Sequence, residues 1–216
     1  MKVSDLLDQR EYPAVWKFLE TQVEMQFADL RVLLQLPLGS PNAPGCNFAT
    51  AAVLLNLLSG FSVCLFDTSV ESLKSRTGRG DRLKRLLTRY YPWDGEQFSP
   101  TKGSEWLYDV IRNPMAHSLG VQVTSEDKWV GIWKRSLSLV EVKRLEDDSQ
   151  RPIWVDQEVL GLTVFKRPVS GGQICEFLSV PCLYWGVWRL LDRLCKDPTQ
   201  MKKAEELLEQ LGFEDV

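Results

Sequence analysis

The sequence contains a single histidine, His117. An imidazole titrates near neutral pH, so any proton transfer by such a group has to involve this residue. Five positions earlier stands Arg112, whose guanidinium is always charged and can bind a phosphate through two parallel hydrogen bonds. A chain with one histidine cannot build a multi-histidine zinc or iron site, and we expect neither a metal nor another cofactor. An arginine and a titratable histidine in one short segment suit chemistry on a phosphate group.

The local structure of this segment depends on Pro114. Proline disfavours helical geometry at the residue before it, Asn113, and it is favoured at the first position of a helix. Asparagine is also among the preferred N-cap residues. We therefore expect a helix near Ser104–Ile111 to end or kink around Arg112, and a new helix to start at Pro114. Arg112 and Asn113 would then lie at a helix N-terminus, where free backbone N–H groups favour an anion.

The segment from Arg112 to His117, RNPMAH, resembles the Arg–polar–x–x–x–His motif of HEPN-domain proteins. The surrounding pattern is similar too, with a long first helix, a very apolar second helix and the motif late in the bundle. The resemblance covers roughly Tyr12–Gly120, with an apolar helix near Pro181–Lys196 as a closing helix. It implies a helical bundle that dimerises so that two motifs face each other across a cleft.

Many HEPN proteins are metal-independent endoribonucleases. The resemblance implies that Arg112 would orient the scissile phosphate of a single-stranded RNA and stabilise its developing charge. His117 would transfer a proton while the RNA 2′-hydroxyl attacks that phosphate and leaves a 2′,3′-cyclic end. Asn113 would hold the motif in shape or bind the phosphate. Such an enzyme would act as a toxin, in defence or in RNA processing, and an antitoxin or regulatory protein would be a natural partner.

Two alternatives stay open at this point. Some HEPN proteins have lost catalysis, so the chain could form an inactive homodimer that binds a nucleotide or a partner protein. A histidine near the start of a helix also commonly serves only as a capping or packing residue.

A second group of charges lies between residues 74 and 89, where seven basic residues accompany one acid, and two tyrosines follow directly. Basic side chains beside aromatic rings suit single-stranded RNA. A solvated helix face next to core aromatic residues is the alternative. The net charge of −3 gives no general affinity for polyanions, so RNA binding would depend on this stretch. The residues assigned to it are Lys74, Arg76, Arg79, Arg82, Arg85 and Arg89.

An uncharged stretch over residues 32–66 raises the question of a membrane span. Asn47–Phe66 is just long enough to cross a bilayer, but Asn56 and Gly60 interrupt its middle. We interpret it as the buried central helix of a soluble bundle. The five cysteines form no CxxC pair and lie in apolar surroundings, which is typical of buried thiols in a reducing cytoplasm. We therefore expect a cytoplasmic protein with no membrane partner.

Periodicity predicts the elements that would position the motif. Apolar residues at three- and four-residue spacing predict helices over about Tyr12–Leu36, Asn47–Phe66, Asp81–Tyr91, Pro181–Lys196 and a short terminal segment to Leu211. After Gly120 the spacing changes to two, in Ser136–Val142 and in short apolar runs up to Arg167. The expected fold is mainly α: a HEPN-like up-and-down helical bundle, one domain over residues 1–216. It carries a small antiparallel β insertion near 128–167 and closing helices over about 181–211.

Overall fold

The computed structural model describes residues 2–37, 46–69, 78–118, 130–158, 160–168, 172 and 174–213, with the side chains of residues 116–118 left out. The α-helices are α1 (Pro13–Phe18), α2 (Glu24–Gln35), α3 (Asn47–Cys64), α4 (Arg79–Tyr90), α5 (Pro100–Glu105), α6 (Asn113–Ser118), α7 (Leu139–Asp147), α8 (Val180–Cys195) and α9 (Pro198–Gln210). The strands are β1 (Val130–Trp133), β2 (Val164–Pro168) and β3 (Ile174–Ser179). Two π-helical turns are π1 (Leu19–Val23) and π2 (Trp106–Arg112), and short 3-10 helices lie at Val3–Leu6 and Ile153–Val155. A mainly helical fold with one small sheet is thus confirmed.

The first helix is continuous through α1, π1 and α2. Pro13 occupies the first turn, where its missing N–H leaves no intrahelical bond unmade. Phe27, Leu30 and Leu34 are fully buried along one face. The predicted helix over Tyr12–Leu36 is confirmed, with one π turn in its middle.

The apolar helix α3 lies in the core of the bundle. Leu54, Leu58 and Phe61 are fully buried, and the helix contacts α2, α4 and α8. By length and composition alone α3 could cross a membrane. It packs against three other helices, and 44% of it is buried, as we expect for the central helix of a bundle.

The closing helices α8 and α9 complete the core. Tyr184 and Trp188 on α8 are fully buried and meet Phe27 edge to face, with ring centroids 5.6 and 4.9 Å apart. Asp197 caps α9 by accepting hydrogen bonds from the first backbone N–H groups. The helix ends just before Gly212, whose φ of 78° is a left-handed conformation that glycine favours. Both predicted closing helices are confirmed.

The strand predicted over Ser136–Val142 is wrong, because this segment enters helix α7. The Ser138 side chain accepts from the Glu141 N–H, and the Glu141 carboxylate accepts from the Ser138 N–H. This reciprocal pair is a capping box, which fixes the start of a helix. Val142 and Leu145 are buried at three-residue spacing on α7. The run Ile153–Val155 is likewise a 3-10 helix and not a strand.

The sheet is mixed and extends beyond the predicted insertion. Its order is β1-β3-β2, with β3 parallel to β1 and antiparallel to β2. The predicted antiparallel sheet ending near Arg167 omits β3, which is the central strand. β1 and β3 run parallel, and the chain between them passes through α7 and then through β2, which is antiparallel to both.

Candidate functional site

The motif lies on one helix that runs without a break through α5, π2 and α6. Asn113 has helical angles (φ −66°, ψ −49°), and its N–H donates to the carbonyl of Tyr108, five residues back. The π turn shifts the hydrogen-bond pairing by one residue just ahead of Pro114, which has no N–H to donate. Of the two alternatives predicted near Arg112, a helix end and a kink, the end is therefore wrong, as is the new start at Pro114. The Asn113 N–H is used within the helix and is not free for an anion.

Arg112 lies half-buried at the wall of a small open pocket. Its guanidinium carbon is 5.7 Å from the centre of the Tyr108 ring. Among the described residues, no carboxylate forms an ion pair with Arg112. The pocket measures about 110 Å³, and its other walls come from α3 and the start of α6: Ala52, Leu55, Asn56 and Met115.

His117 lies on α6, five residues beyond Arg112 on the same continuous helix. At about 1.5 Å per residue, its backbone is roughly 7.5 Å further along the helix axis. The imidazole lies outside the described part of the chain. Asn113, between the two, is half-buried, and only its side-chain amide is left for a role in the site.

Tyr108 connects Arg112 to helix α4. The ammonium of Lys84 lies 4.8 Å from the centre of the same ring and 3.0 Å from a carboxylate oxygen of Asp109. A side chain at Gly80 would collide with the Tyr108 hydroxyl, so the glycine allows the ring to pack against α4. Because both cations approach one ring, their charges lie within about 11 Å of each other. The sequence reasoning did not assign Tyr108 to the site, although its position four residues before Arg112 places both on one helix face.

Only some of the predicted RNA-binding residues are exposed cations in the structure. Lys74 and Arg76 lie outside the described residues, and Arg79 is exposed at the start of α4. Arg82 is only 6% exposed and is not part of a basic surface. The two remaining arginines are exposed and ion-paired: Arg85 with Asp67 at 2.9 Å, and Arg89 with Asp197 at 3.0 Å.

These ion pairs reduce the positive charge that α4 offers to a polyanion. The hydrogen bond from the Tyr90 hydroxyl lowers the pKa of Asp197, and the backbone bond from Gln200 and the charge of Arg89 act in the same direction. The carboxylate is therefore ionised at neutral pH and keeps Arg89 engaged. Arg89 and Tyr90 thus hold the end of α4 against Asp197 at the start of α9.

Within the described ranges, no group of three or more His, Cys, Asp or Glu side chains is placed to hold a metal ion. Comparison with protein-family models, with curated proteins and with solved structures gives no match to this chain. The geometry around Arg112 therefore carries the functional argument.

Proposed function

We propose that the protein is a metal-independent endoribonuclease of the HEPN type that cleaves single-stranded RNA. The observation that carries this proposal is the state of Arg112. It is half-buried beside an open pocket, it has no ion-pair partner among the described residues, and it shares one helix with the only histidine of the chain.

An arginine in this state is suited to hold a phosphate. A guanidinium that is paired with a carboxylate must exchange that partner before it can bind a phosphate, as Arg85 and Arg89 would have to do. Arg112 packs instead against the Tyr108 ring, and no carboxylate of the described residues pairs with its N–H groups, which can bind two phosphate oxygens at once. This contact also limits the motion of the side chain, so less conformational entropy is lost on binding.

The proposed reaction is an internal transfer within the RNA. The 2′-hydroxyl oxygen attacks the adjacent phosphorus as the bond from phosphorus to the 5′-oxygen breaks. The products are a 2′,3′-cyclic phosphate and a free 5′-hydroxyl. His117 transfers a proton in this step, and Arg112 stabilises the charge that develops on the phosphate oxygens. The Asn113 amide holds the segment in shape or contacts the phosphate.

The pocket size favours a polymer over an enclosed nucleotide. Small-molecule sites typically measure roughly 300–1,000 Å³. The pocket beside Arg112, at about 110 Å³, is smaller than that range and suits one phosphate group of a strand that crosses the surface.

The open face of α3 supports pairing of two copies. Phe48 is 54% exposed at the start of the helix. Ala52 and Asn56 follow on the same side and reach the Arg112 pocket. A homodimer formed through this face would bring the two motifs together. The same face supports the second candidate function, an inactive module that binds a partner protein such as an antitoxin or regulator.

The decisive experiment is digestion of an unstructured RNA in EDTA by the wild type, Arg112→Ala and His117→Ala. Charge stabilisation and proton transfer each contribute about 10²-fold or more, so either substitution should nearly abolish cleavage. Arg144→Ala, at an exposed arginine on α7, is the matched control and should cleave normally. Replacing the 2′-hydroxyls by hydrogen should also stop the reaction, because the nucleophile is then missing.

Cleavage that survives His117→Ala would overturn the mechanism. If the wild type cleaves no RNA, the binding-module function is favoured instead. We also propose that the protein acts in the cytoplasm.

A further inference from the structure

A second and larger cavity lies between helices α4 and α5. It is an open groove of about 380 Å³, within the range of roughly 300–1,000 Å³ typical of small-molecule sites. The two helices run antiparallel here, because Thr88 contacts Ser104 at 2.9 Å while Lys84 reaches Asp109 at 3.0 Å. The groove is lined by Asp81, Lys84, Arg85, Thr88, Thr101 and Glu105.

The groove and the Arg112 pocket both border the helix that carries the motif. Thr101 and Glu105 lie one turn apart on α5 and line the groove, and the π turn over Trp106–Arg112 follows directly and carries Tyr108 and Arg112. Seven residues separate Glu105 from Arg112, which is roughly 10 Å along the axis. Lys84 lies both in the groove and beside the Tyr108 ring. A strand that crosses the Arg112 pocket can therefore continue into this groove.

The polar groups of the groove match the parts of a ribonucleotide. Lys84 and Arg85 are cations that can contact a backbone phosphate when they exchange their carboxylate partners, Asp109 and Asp67. The acids Asp81 and Glu105 stand on opposite helices, and within the described ranges neither forms an ion pair. A carboxylate without a cation partner accepts hydrogen bonds from hydroxyl groups, and carboxylates contact the ribose hydroxyls in dinucleotide sites.

We infer that this groove binds a nucleotide of the RNA next to the scissile phosphate and recognises its ribose hydroxyls through Asp81 and Glu105. This inference rests on the proposed function and deepens it, because the 2′-hydroxyl distinguishes RNA from DNA. The groove then contributes selectivity for RNA, while Arg112 and His117 carry the reaction.

The test is the change in RNA affinity on Glu105→Ala, for which loss of a charge and loss of a hydrogen bond predict opposite directions. Removing a negative charge should strengthen binding of any polyanion, whether RNA or DNA. Removing a hydrogen-bond acceptor of ribose hydroxyls should weaken binding of RNA alone. We expect a loss of roughly tenfold in RNA affinity, the effect of one hydrogen bond to a charged group, with DNA affinity unchanged or higher. Asp81→Ala should act in the same direction.

The measurement is fluorescence anisotropy with an RNA and a DNA oligonucleotide of the same sequence, on the full-length chain. His117→Ala is present throughout to keep the RNA intact. Glu209→Ala on α9, an exposed acid outside the groove, is the matched control and should leave the ratio of RNA to DNA affinity unchanged. A second pair compares Arg85→Gln with Arg89→Gln. Both remove an exposed, ion-paired arginine of α4, but only Arg85 lines the groove, so only its variant should weaken RNA binding several-fold.

Equal changes in RNA and DNA affinity for Glu105→Ala would overturn the inference, as would the absence of any RNA binding. The two proposals can fail separately. Cleavage by the wild type with no selective effect of Glu105→Ala rejects the groove and leaves the nuclease. Selective binding without any cleavage rejects the nuclease and leaves the groove.

Discussion

Arg112 differs from two other partly buried arginines of this chain, Arg151 and Arg31. Arg151 donates to Glu96, whose side chain is 1% exposed, and Arg31 donates to Glu146, whose side chain is 2% exposed. Both arginines neutralise a buried carboxylate that would otherwise be costly to bury. Arg112 neutralises no carboxylate among the described residues and packs against the Tyr108 ring instead. A half-buried cation without a structural partner is therefore the residue of this surface best prepared to receive an external anion.

The Tyr108 ring should act as a positioning group for Arg112. Tyr108→Leu removes the aromatic face, and a partly exposed cation–π contact is worth about 0.5–1 kcal/mol. We expect RNA cleavage to fall roughly two- to fivefold, measured as kcat and KM on the same RNA. Tyr108→Phe keeps the ring and should restore the activity. A Phe variant as impaired as the Leu variant would contradict positioning by the ring and indicate a role for the hydroxyl.

At the scale of elements, the sequence predicts those helices and strands that depend only on residues close together in the chain. Helix α2 follows from apolar residues that recur at three and four positions and bury one face, whereas α3 and α8 follow from runs that are apolar on most sides. The sheet could not be predicted in the same way, because β3 pairs with β1 across an intervening helix and that pairing leaves no local pattern. The contact of Lys84 with Asp109 and Tyr108 also joins residues that are far apart in sequence, so only the fold reveals it.

Local patterns also conflict with each other in two segments. The alternation in Ser136–Val142 favours a strand, but the Ser138–Glu141 capping box favours a helix, and the buried spacing of Val142 and Leu145 supports the box. At Pro114 the proline favours a helix start, yet the preceding π turn keeps the helix continuous. The residues of the motif could therefore be identified from the sequence. The backbone anion site predicted at Asn113 does not form, because its N–H bonds within the helix.

The capping box gives a direct test of this account of α7. Ser138→Ala removes the side chain that accepts from the Glu141 N–H, and the loss of such a cap typically lowers the free energy of unfolding by about 1 kcal/mol. Chemical denaturation monitored by circular dichroism would measure this change. Ser149→Ala, at an exposed serine just beyond α7, should leave the free energy of unfolding nearly unchanged. Equal stability of the two variants would show that the box does not hold the start of the helix.

At the scale of the whole molecule, one frame holds the site in place. Asp197 at the start of α9 binds Tyr90 and Arg89 of α4. Helix α4 in turn meets the motif helix through Thr88 and Lys84. The core helix α3 supports the other wall of the Arg112 pocket. The side of α3 that continues from this pocket presents the exposed Phe48, followed by Ala52 and the polar Asn56.

That surface leads to the prediction of a homodimer. A stable pair buries about 800 Å² on each partner, and burial of apolar area supplies the main driving force. Light scattering at micromolar concentration should give a mass of about 50 kDa, twice the 24.8 kDa of one chain. Phe48→Asp places a charge in the proposed interface and should shift the mass to that of one chain. Cleavage should fall with it, because the two motifs would no longer face each other.

The matched control is Val140→Asp, at a residue of α7 that is 76% exposed. It introduces the same charge on another face and should leave both the mass and the cleavage unchanged. A wild type that remains at 24.8 kDa would contradict the homodimer. A Phe48→Asp variant that remains paired would place the interface elsewhere. If Phe48→Asp becomes a monomer and still cleaves RNA at the full rate, a single copy of Arg112 and His117 is sufficient for the reaction.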